Sequence, residues 1–219
     1  MRSYKIAERI IASRRGLVEG MPLPHVHKGA DEGGCGVVGL AASVPVAGRH
    51  LVTPARQMHN RGNGKGGGIA ATGLSAAQMG VSAETLRDAT LLQVAYLDPD
   101  ARGDVERDAI LPNYDLLEGY AAPSLDDHRD VPGLEVRPPG VWRYFVRAKP
   151  DALARFAVGH GLGELLKDDV RRVEDEYVYR STFQLNQQFY ASLGEQRAFV
   201  LSHGRDLLVF KIVGYAEQA

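Results

Sequence analysis

The chain has 219 residues, a formal net charge of −1 at pH 7 and 44% hydrophobic residues. These values predict one large globular domain, or one and a half, with a core of its own, and the near-neutral charge gives no reason to expect nucleic acid or membrane partners. No apolar run reaches the roughly 18 residues of a membrane span. Charged residues interrupt any signal-peptide core, and the single cysteine cannot form an internal disulfide. We therefore expect a cytoplasmic protein.

Residues 1–34 are predicted to form a separate N-terminal extension. A short amphipathic pattern is followed by a segment, 21–34, that is rich in proline, glycine and histidine and is typical of an extended linker. His25 and His27 stand two residues apart, but no third ligand is near them in sequence. We therefore predict a solvated linker and no metal site.

The sequence becomes small and apolar from Cys35 onward. We expect a buried strand over 35–42 and a second strand, or a turn into one, over 44–52. A short helix is predicted over 54–59, with Thr53 as its cap. After a glycine-rich loop, the pattern predicts a strand over 68–72 and short helical pieces within 75–87.

The second half of the chain alternates between strand and helix signals. Strands are predicted over 90–97 and 141–148, separated by a charged loop or helix face at 98–108 and by a proline-containing loop with short strands at 112–140. Helices are predicted over 151–159, 161–170 and 182–192, with a short strand at 176–179. Strands over 197–202 and 207–213 are predicted to form a hairpin. An edge strand needs pairing or cover, so we expect this hairpin to lie inside a sheet or beside further chain.

The hairpin turn carries His203, Arg205 and Asp206. We interpret them first as turn residues. A role in a functional site is the second interpretation of these three residues.

Cys35 is a candidate nucleophile because it is the only cysteine and stands at the start of the apolar run. The reactive form is the thiolate, so a base is needed. His59 or His203 could approach it in space. Alternatively, cleavage after Gly34 would free an α-amino group with a pKa of about 7.7–8.0, which suits a general base. The competing interpretation is a cysteine that only packs inside a strand.

Arg61 is a candidate anion ligand because it lies in the glycine-rich stretch HNRGNGKGGG at 59–68. Glycines let a backbone approach a ligand closely, and a guanidinium binds carboxylates bidentately. The stretch lacks the spacing of a phosphate-binding P-loop. A flexible surface turn is the alternative interpretation.

The sequences CGVVG at 35–39 and MHNRGNGKGGG at 58–68 together resemble the start of a class II glutamine amidotransferase domain. The form resembled is the glutaminase domain or subunit of archaeal-type glutamate synthase-like systems. VWRYFV at 141–146 and AFVLSHGRDLLVFKIVGY at 198–215 are similar to the same subgroup. The resemblance implies an α+β fold, an Ntn-hydrolase-like αββα sandwich of two antiparallel sheets, of which residues 35–219 would be the N-terminal, incomplete part.

The resemblance also implies a mechanism and partners. Cys35 would attack the side-chain amide of glutamine, form a thioester and release ammonia to a synthase subunit, with its own α-amine as base. Arg61, Gly62 and Asn63 would bind the substrate, and residues 1–34 would be a removed propeptide. No cofactor is expected on this chain, whereas FMN and an iron–sulfur cluster would belong to the synthase partner, because one cysteine cannot hold a cluster.

Two departures from the family pattern leave alternatives open. Residues 1–34 would block the α-amine while they remain attached, and the family's later motifs, including the asparagine and glycine of its oxyanion hole, are missing. The chain is therefore expected to be truncated, completed by a second chain, or degenerate. A regulatory amino-acid-binding module and another N-terminal-nucleophile amidohydrolase remain the alternative functions.

Overall fold

The computed structural model describes residues 35–62, 64–191 and 193–219, which belong to one compact unit. The predicted extension 1–34, with His25 and His27, lies outside the described residues. The described chain has a mixed α+β fold with two antiparallel sheets, which confirms the predicted class at that level. None of the helices in these ranges combines the length and apolarity that a membrane span requires.

Six strands make up the two sheets. A two-stranded sheet pairs β1 with β6, and a four-stranded sheet has the order β3-β4-β2-β5. The strands are β1 (Gly67–Thr72), β2 (Thr90–Tyr96), β3 (Tyr114–Ala121), β4 (Gly140–Ala148), β5 (Ala198–Gly204) and β6 (Leu207–Ile212).

The described residues form seven α-helices, of which the two longest lie in the second half of the chain. They are α1 (Val52–Gln57), α2 (Ala76–Met79), α3 (Ala83–Asp88), α4 (Ala101–Val105), α5 (Pro150–Gly159), α6 (Gly163–Asp168) and α7 (Val170–Phe189). Helix α4 continues into a π-helical turn, and short 3-10 turns include Gly48–Leu51, His59–Arg61 and Ala216–Gln218.

The four-stranded sheet forms the middle layer because both of its faces are covered. Side chains on one face of β2, including Leu92 and Val94, share a core with the helices α5 and α7. On the opposite face, Leu91 packs with Phe145 and with Leu208 of β6. Every residue of β2 is buried, as expected for a strand that lies between two layers.

Most local predictions in the sheet and helix regions are confirmed. The strands predicted at 68–72, 90–97 and 141–148 correspond to β1, β2 and β4, and the helices predicted at 151–159 and 161–170 correspond to α5 and α6. The charged segment 98–108 includes α4, whose Ala101 and Val105 are fully buried, so its helix-face interpretation is correct. The segment 112–140, predicted as a loop with short strands, contains the eight-residue strand β3.

The predicted strands at 35–42 and 44–52 are wrong. Residues 35–47 have neither helix nor strand, and large side chains such as Val37 and Leu40 are 88% and 56% exposed. Their apolar composition is compatible with a strand but specifies no pairing partner. The predicted helix at 54–59 does form, as α1, but it begins at Val52 and has no side-chain cap, so the capping role of Thr53 is also wrong.

The predicted strand at 176–179 is wrong because this segment lies inside the 20-residue helix α7. Its aromatic and β-branched residues favour a strand locally, but Val173, Tyr177 and Val178 bury one helical face against the sheet. The burial of apolar side chains along the whole of α7 therefore outweighs the local preference of residues 176–179 for a strand. The helix predicted at 182–192 is the second half of the same helix, which ends at Phe189.

The predicted terminal hairpin is also wrong as a pairing, although both strands exist. β5 pairs with β2, whereas β6 pairs with β1. The turn between them is held by Asp206, at φ 52°, whose carboxylate accepts hydrogen bonds from the backbone N–H groups of Gly73 (2.8 Å) and Leu74 (2.6 Å). The chain therefore passes from one sheet to the other at this turn.

Arg205 in the same turn holds a nearly buried carboxylate, and its removal should destabilise the fold. Its guanidinium bonds Glu174 of α7, whose other oxygen accepts from Ala148 N at 2.9 Å. The two side chains are 20% and 10% exposed. Because Arg205→Ala leaves Glu174 without its charge partner, we expect a loss of about 2 kcal/mol in unfolding free energy, measured by urea denaturation.

The matched control is Arg180→Ala, which breaks an exposed ion pair with Glu176 on the same helix. Such pairs contribute about 0.5 kcal/mol or less. Equal small losses in the two variants would contradict a structural role for Arg205.

Candidate functional site

Cys35 lies in an exposed coil segment, so its thiol is open to solvent. The alternative of a packing cysteine in a buried strand is therefore wrong. The next residue is packed closely: a β-carbon placed on Gly36 would lie 2.8 Å from Met58 Cβ and 3.2 Å from Arg61 Cβ. The backbone that follows the cysteine thus lies directly on the turn that carries Arg61.

The turn that carries Arg61 is a short 3-10 helix, His59–Arg61. The carbonyl of Met58 accepts hydrogen bonds from Arg61 N at 2.9 Å and Gly62 N at 3.1 Å. The Arg61 side chain is exposed. The structure therefore packs Gly36, the residue that follows Cys35, against the turn that carries Arg61 and Gly62, whereas the fourth predicted site residue, Asn63, lies outside the described residues.

The glycine-rich loop packs against the C-terminal turn of the same chain. A β-carbon on Gly64 would lie 3.2 Å from the ring of Tyr215, and one on Gly67 would lie 2.5 Å from Ala216 N. A side chain at Gly67 would collide with the backbone, and one at Gly64 would crowd the ring at a residue whose φ is 70°. Close packing within the chain therefore accounts for part of the glycine content that the sequence attributed to ligand approach.

His59 is held by a carboxylate from this C-terminal turn. Its Nε2 bonds Glu217 Oε1, and its ring lies 4.0 Å, centroid to centroid, from the ring of Tyr215. The Glu217 side chain is only 7% exposed. Its Oε2 is buried and has no hydrogen-bond partner among the described residues. An imidazole oriented by a buried carboxylate is the arrangement of many general bases.

His203, the other histidine considered as a base, lies elsewhere. It is in β5, opposite Leu92 of β2, and its ring neighbour is Tyr179 of α7 at 6.5 Å. Burial lowers the pKa of His203, and the carboxylate of Asp175 partly opposes this effect. Of the two histidines, His59 is the one that shares a turn with Arg61.

Glu217 was missed by the sequence analysis. It is the third residue from the end of the given sequence, and no local motif marks it. Its proximity to His59 depends on a contact between residues 158 positions apart. No pattern in a single sequence could have revealed this pairing.

Four cavities on the described surface lie away from this site. Their volumes are about 400, 390, 510 and 360 Å³, and they are lined mainly by residues of α5, α7 and β5. None of the four is lined by Cys35, Arg61 or Gly62. Among the residues described, no group of three or more histidine, cysteine or acidic side chains could hold a metal ion.

The comparisons with known proteins give one relative. The chain is 26% identical over 190 residues to an uncharacterized protein of Archaeoglobus fulgidus. The match covers 85% of this chain and 41% of the relative, so the chain spans about two fifths of the relative's length. No protein-family model and no solved structure matches the chain.

Proposed function

We propose that this chain is part of a class II glutamine amidotransferase and hydrolyses the side-chain amide of glutamine through Cys35. The thiolate attacks the amide carbon, ammonia leaves, and water then cleaves the thioester to give glutamate. In this proposal the two antiparallel sheets belong to an Ntn-hydrolase-like sandwich, and Arg61 binds the α-carboxylate of glutamine together with Gly62 and Asn63.

The observation that carries the proposal is the packing of Gly36 against Arg61. Gly36 and Arg61 are 25 positions apart in sequence but pack against each other. The exposed thiol of Cys35 therefore belongs to the residue next to the one that packs on the β-carbon of Arg61. An exposed nucleophile beside an exposed guanidinium is suited to a small substrate that carries both an amide and a carboxylate.

Two groups are candidates for the base. The α-amine of Cys35 becomes available if the chain is cut after Gly34, and its ordinary pKa is close to neutral pH. His59, oriented by Glu217, offers a base that does not require cleavage. The state of the N-terminus decides between them.

The partners follow from the chemistry. Ammonia would pass to a synthase subunit that carries FMN and an iron–sulfur cluster, in the cytoplasm. The oxyanion of the tetrahedral intermediate requires hydrogen-bond donors, commonly worth about 10²–10³ in rate. We propose that a second chain or further sequence supplies them.

The experiment that tests the proposal joins intact-mass analysis with a glutaminase assay. The chain is purified from its own host, with any co-purifying partner, and the ammonia released from glutamine is measured on the same sample. A mass that begins at Cys35, with ammonia release, is the expected result. Ammonia release from a chain that retains residues 1–34 would assign the base role to His59, and no release from either form would overturn the enzymatic proposal.

A regulatory glutamine-binding module is the second candidate. None of the four described cavities is lined by Cys35, which favours a module that binds without using this thiol. Such a module would bind glutamine in a calorimetric titration without releasing ammonia. An amidohydrolase for a different amide would instead release ammonia or amine from another substrate.

A further inference from the structure

A row of polar side chains crosses the four-stranded sheet, on the face that is covered by β6. Tyr120 of β3 stands opposite Arg143 of β4, which stands opposite Gln93 of β2, which in turn stands opposite Ser202 of β5. Directly opposed residues in antiparallel strands have β-carbons about 4.5–5.5 Å apart. The four side chains therefore form one continuous line between the two sheets.

Arg143 is a buried cation without an anionic partner. It is 5% exposed, and its Nε has no hydrogen-bond partner among the residues that the structure describes. Within the described ranges it takes part in no ion pair. Its guanidinium carbon lies 5.8 Å from the ring centroid of Tyr120 and 5.5 Å from that of Phe210. These rings attract the cation, but they cannot accept the hydrogen bonds of a guanidinium as a carboxylate does.

Gln93 presents a second set of unused donors beside this arginine. Its Oε1 accepts hydrogen bonds from Ser202 Oγ and Val209 N, both at 2.9 Å. Because a backbone N–H can only donate, these bonds fix the orientation of the amide and leave its Nε2 as a donor. That Nε2 is buried and meets no acceptor in the described part of the chain, and the residue is 0% exposed.

Neither hydroxyl of the row accepts a hydrogen bond from Arg143 Nε or Gln93 Nε2 among the described residues. The hydroxyl of Ser202 donates to Gln93, and the hydroxyl of Tyr120 donates to the carbonyl of Met79 at 2.5 Å. Buried donors without partners carry a large desolvation cost, which is greatest for a charge. The structure thus places Nε of the Arg143 guanidinium and the fixed amide N–H₂ group of Gln93 on paired strands, both buried without an acceptor among the described residues.

We propose that Arg143 and Gln93 form a binding site for a carboxylate group between the two sheets. A carboxylate accepts bidentately from a guanidinium and has oxygen lone pairs left for the amide. Tyr120 and Phe210 are only partly buried, so the site lies one side-chain layer beneath the surface. The site uses neither Cys35 nor Arg61 and stands independently of the proposed glutaminase activity.

Thermal unfolding with and without small carboxylates tests this site. The probes are sodium acetate and sodium succinate, against sodium chloride and sodium sulfate at equal ionic strength. A saturable rise in Tm is expected with the carboxylates, about 5–10 °C at 100 times Kd. The Nε–H resonance of Arg143 in ¹⁵N spectra should shift over the same concentration range.

Gln93→Glu is the decisive variant because it places a carboxylate of the chain's own opposite Arg143. We expect a higher Tm without added carboxylate and no further rise with it. Arg147→Gln, which changes an exposed arginine on the same strand, should respond to carboxylates as the unchanged protein does.

Three outcomes would overturn the proposal. One is an unchanged Tm and Arg143 resonance in acetate and succinate. A second is a saturable shift with sulfate alone, which would assign the site to a tetrahedral anion. The third is a Gln93→Glu protein that keeps the full carboxylate response.

Discussion

Replacing Cys35 with alanine should abolish the release of ammonia from glutamine by the processed chain, with a loss of about 10³-fold or more. Removal of a covalent nucleophile leaves only the contribution of binding and of electrostatic stabilisation. The chain has no second cysteine that could take over the reaction. The measurement is the rate of glutamate and ammonia formation at saturating glutamine, on samples whose first residue has been established by mass.

A comparison of two arginines separates chemistry from substrate binding in the same assay. Arg61→Gln should raise KM for glutamine more than it lowers kcat, because the guanidinium is proposed to hold the α-carboxylate away from the reacting amide. Arg56→Gln changes an exposed arginine of the neighbouring helix α1 and should leave both constants unchanged. Full activity in Cys35→Ala would rule out the thioester route, whereas glutamine binding without ammonia release by the unchanged chain would make the regulatory module the better proposal.

The central strands β2 and β4 of the four-stranded sheet could be predicted from the sequence because the residues that favour them are local. The segments that became β2 and β4 are short, apolar and rich in β-branched and aromatic residues, and each is bounded by turn residues. Such runs specify a strand in any context that buries them. Helix α5 was predicted for a similar reason, since Pro150 and Asp151 stand at its start and a glycine stands at its end.

The pairing of the last strand could not be predicted in the same way. β6 follows β5 after a turn of two residues, which favours a hairpin on local grounds, yet it pairs with β1, more than 130 residues earlier. The carboxylate of Asp206 binds two backbone N–H groups at the end of β1. This long-range contact has no signature in the residues of the turn itself.

The candidate site could be predicted only in part, because some of its residues carry local signals and others meet only through long-range contacts. Cys35 and Arg61 were identified because a lone thiol and a glycine-flanked guanidinium carry recognisable chemistry. Their juxtaposition depends on Gly36, whose need for a small residue is visible only from the contact with Met58. Glu217 and the polar row at Arg143 depend on strand order and register, which composition does not encode.

The substitution Gly68→Ala should separate β1 from β6 and destabilise the protein by about 2–3 kcal/mol. A β-carbon on Gly68 would lie 2.3 Å from the carbonyl oxygen of Phe210. Because that oxygen belongs to the backbone, relief requires movement of a strand and not of a flexible side chain. The movement would also displace Phe210 from Arg143, so the stability loss should be accompanied by a shift of the Arg143 Nε–H resonance.

Gly66→Ala is the matched control for this experiment. It lies two residues before Gly68, just ahead of β1, and a β-carbon there would meet nothing within 4 Å. We expect a change within about 0.5 kcal/mol, because the alanine is accommodated without strain and restricts the unfolded chain. Both unfolding free energies are measured by urea denaturation. Equal unfolding free energies for the two variants would mean that β1 and β6 are not held as closely as the structure places them. A lower value for Gly68→Ala would show that the two-stranded sheet, which covers the polar row, contributes to global stability.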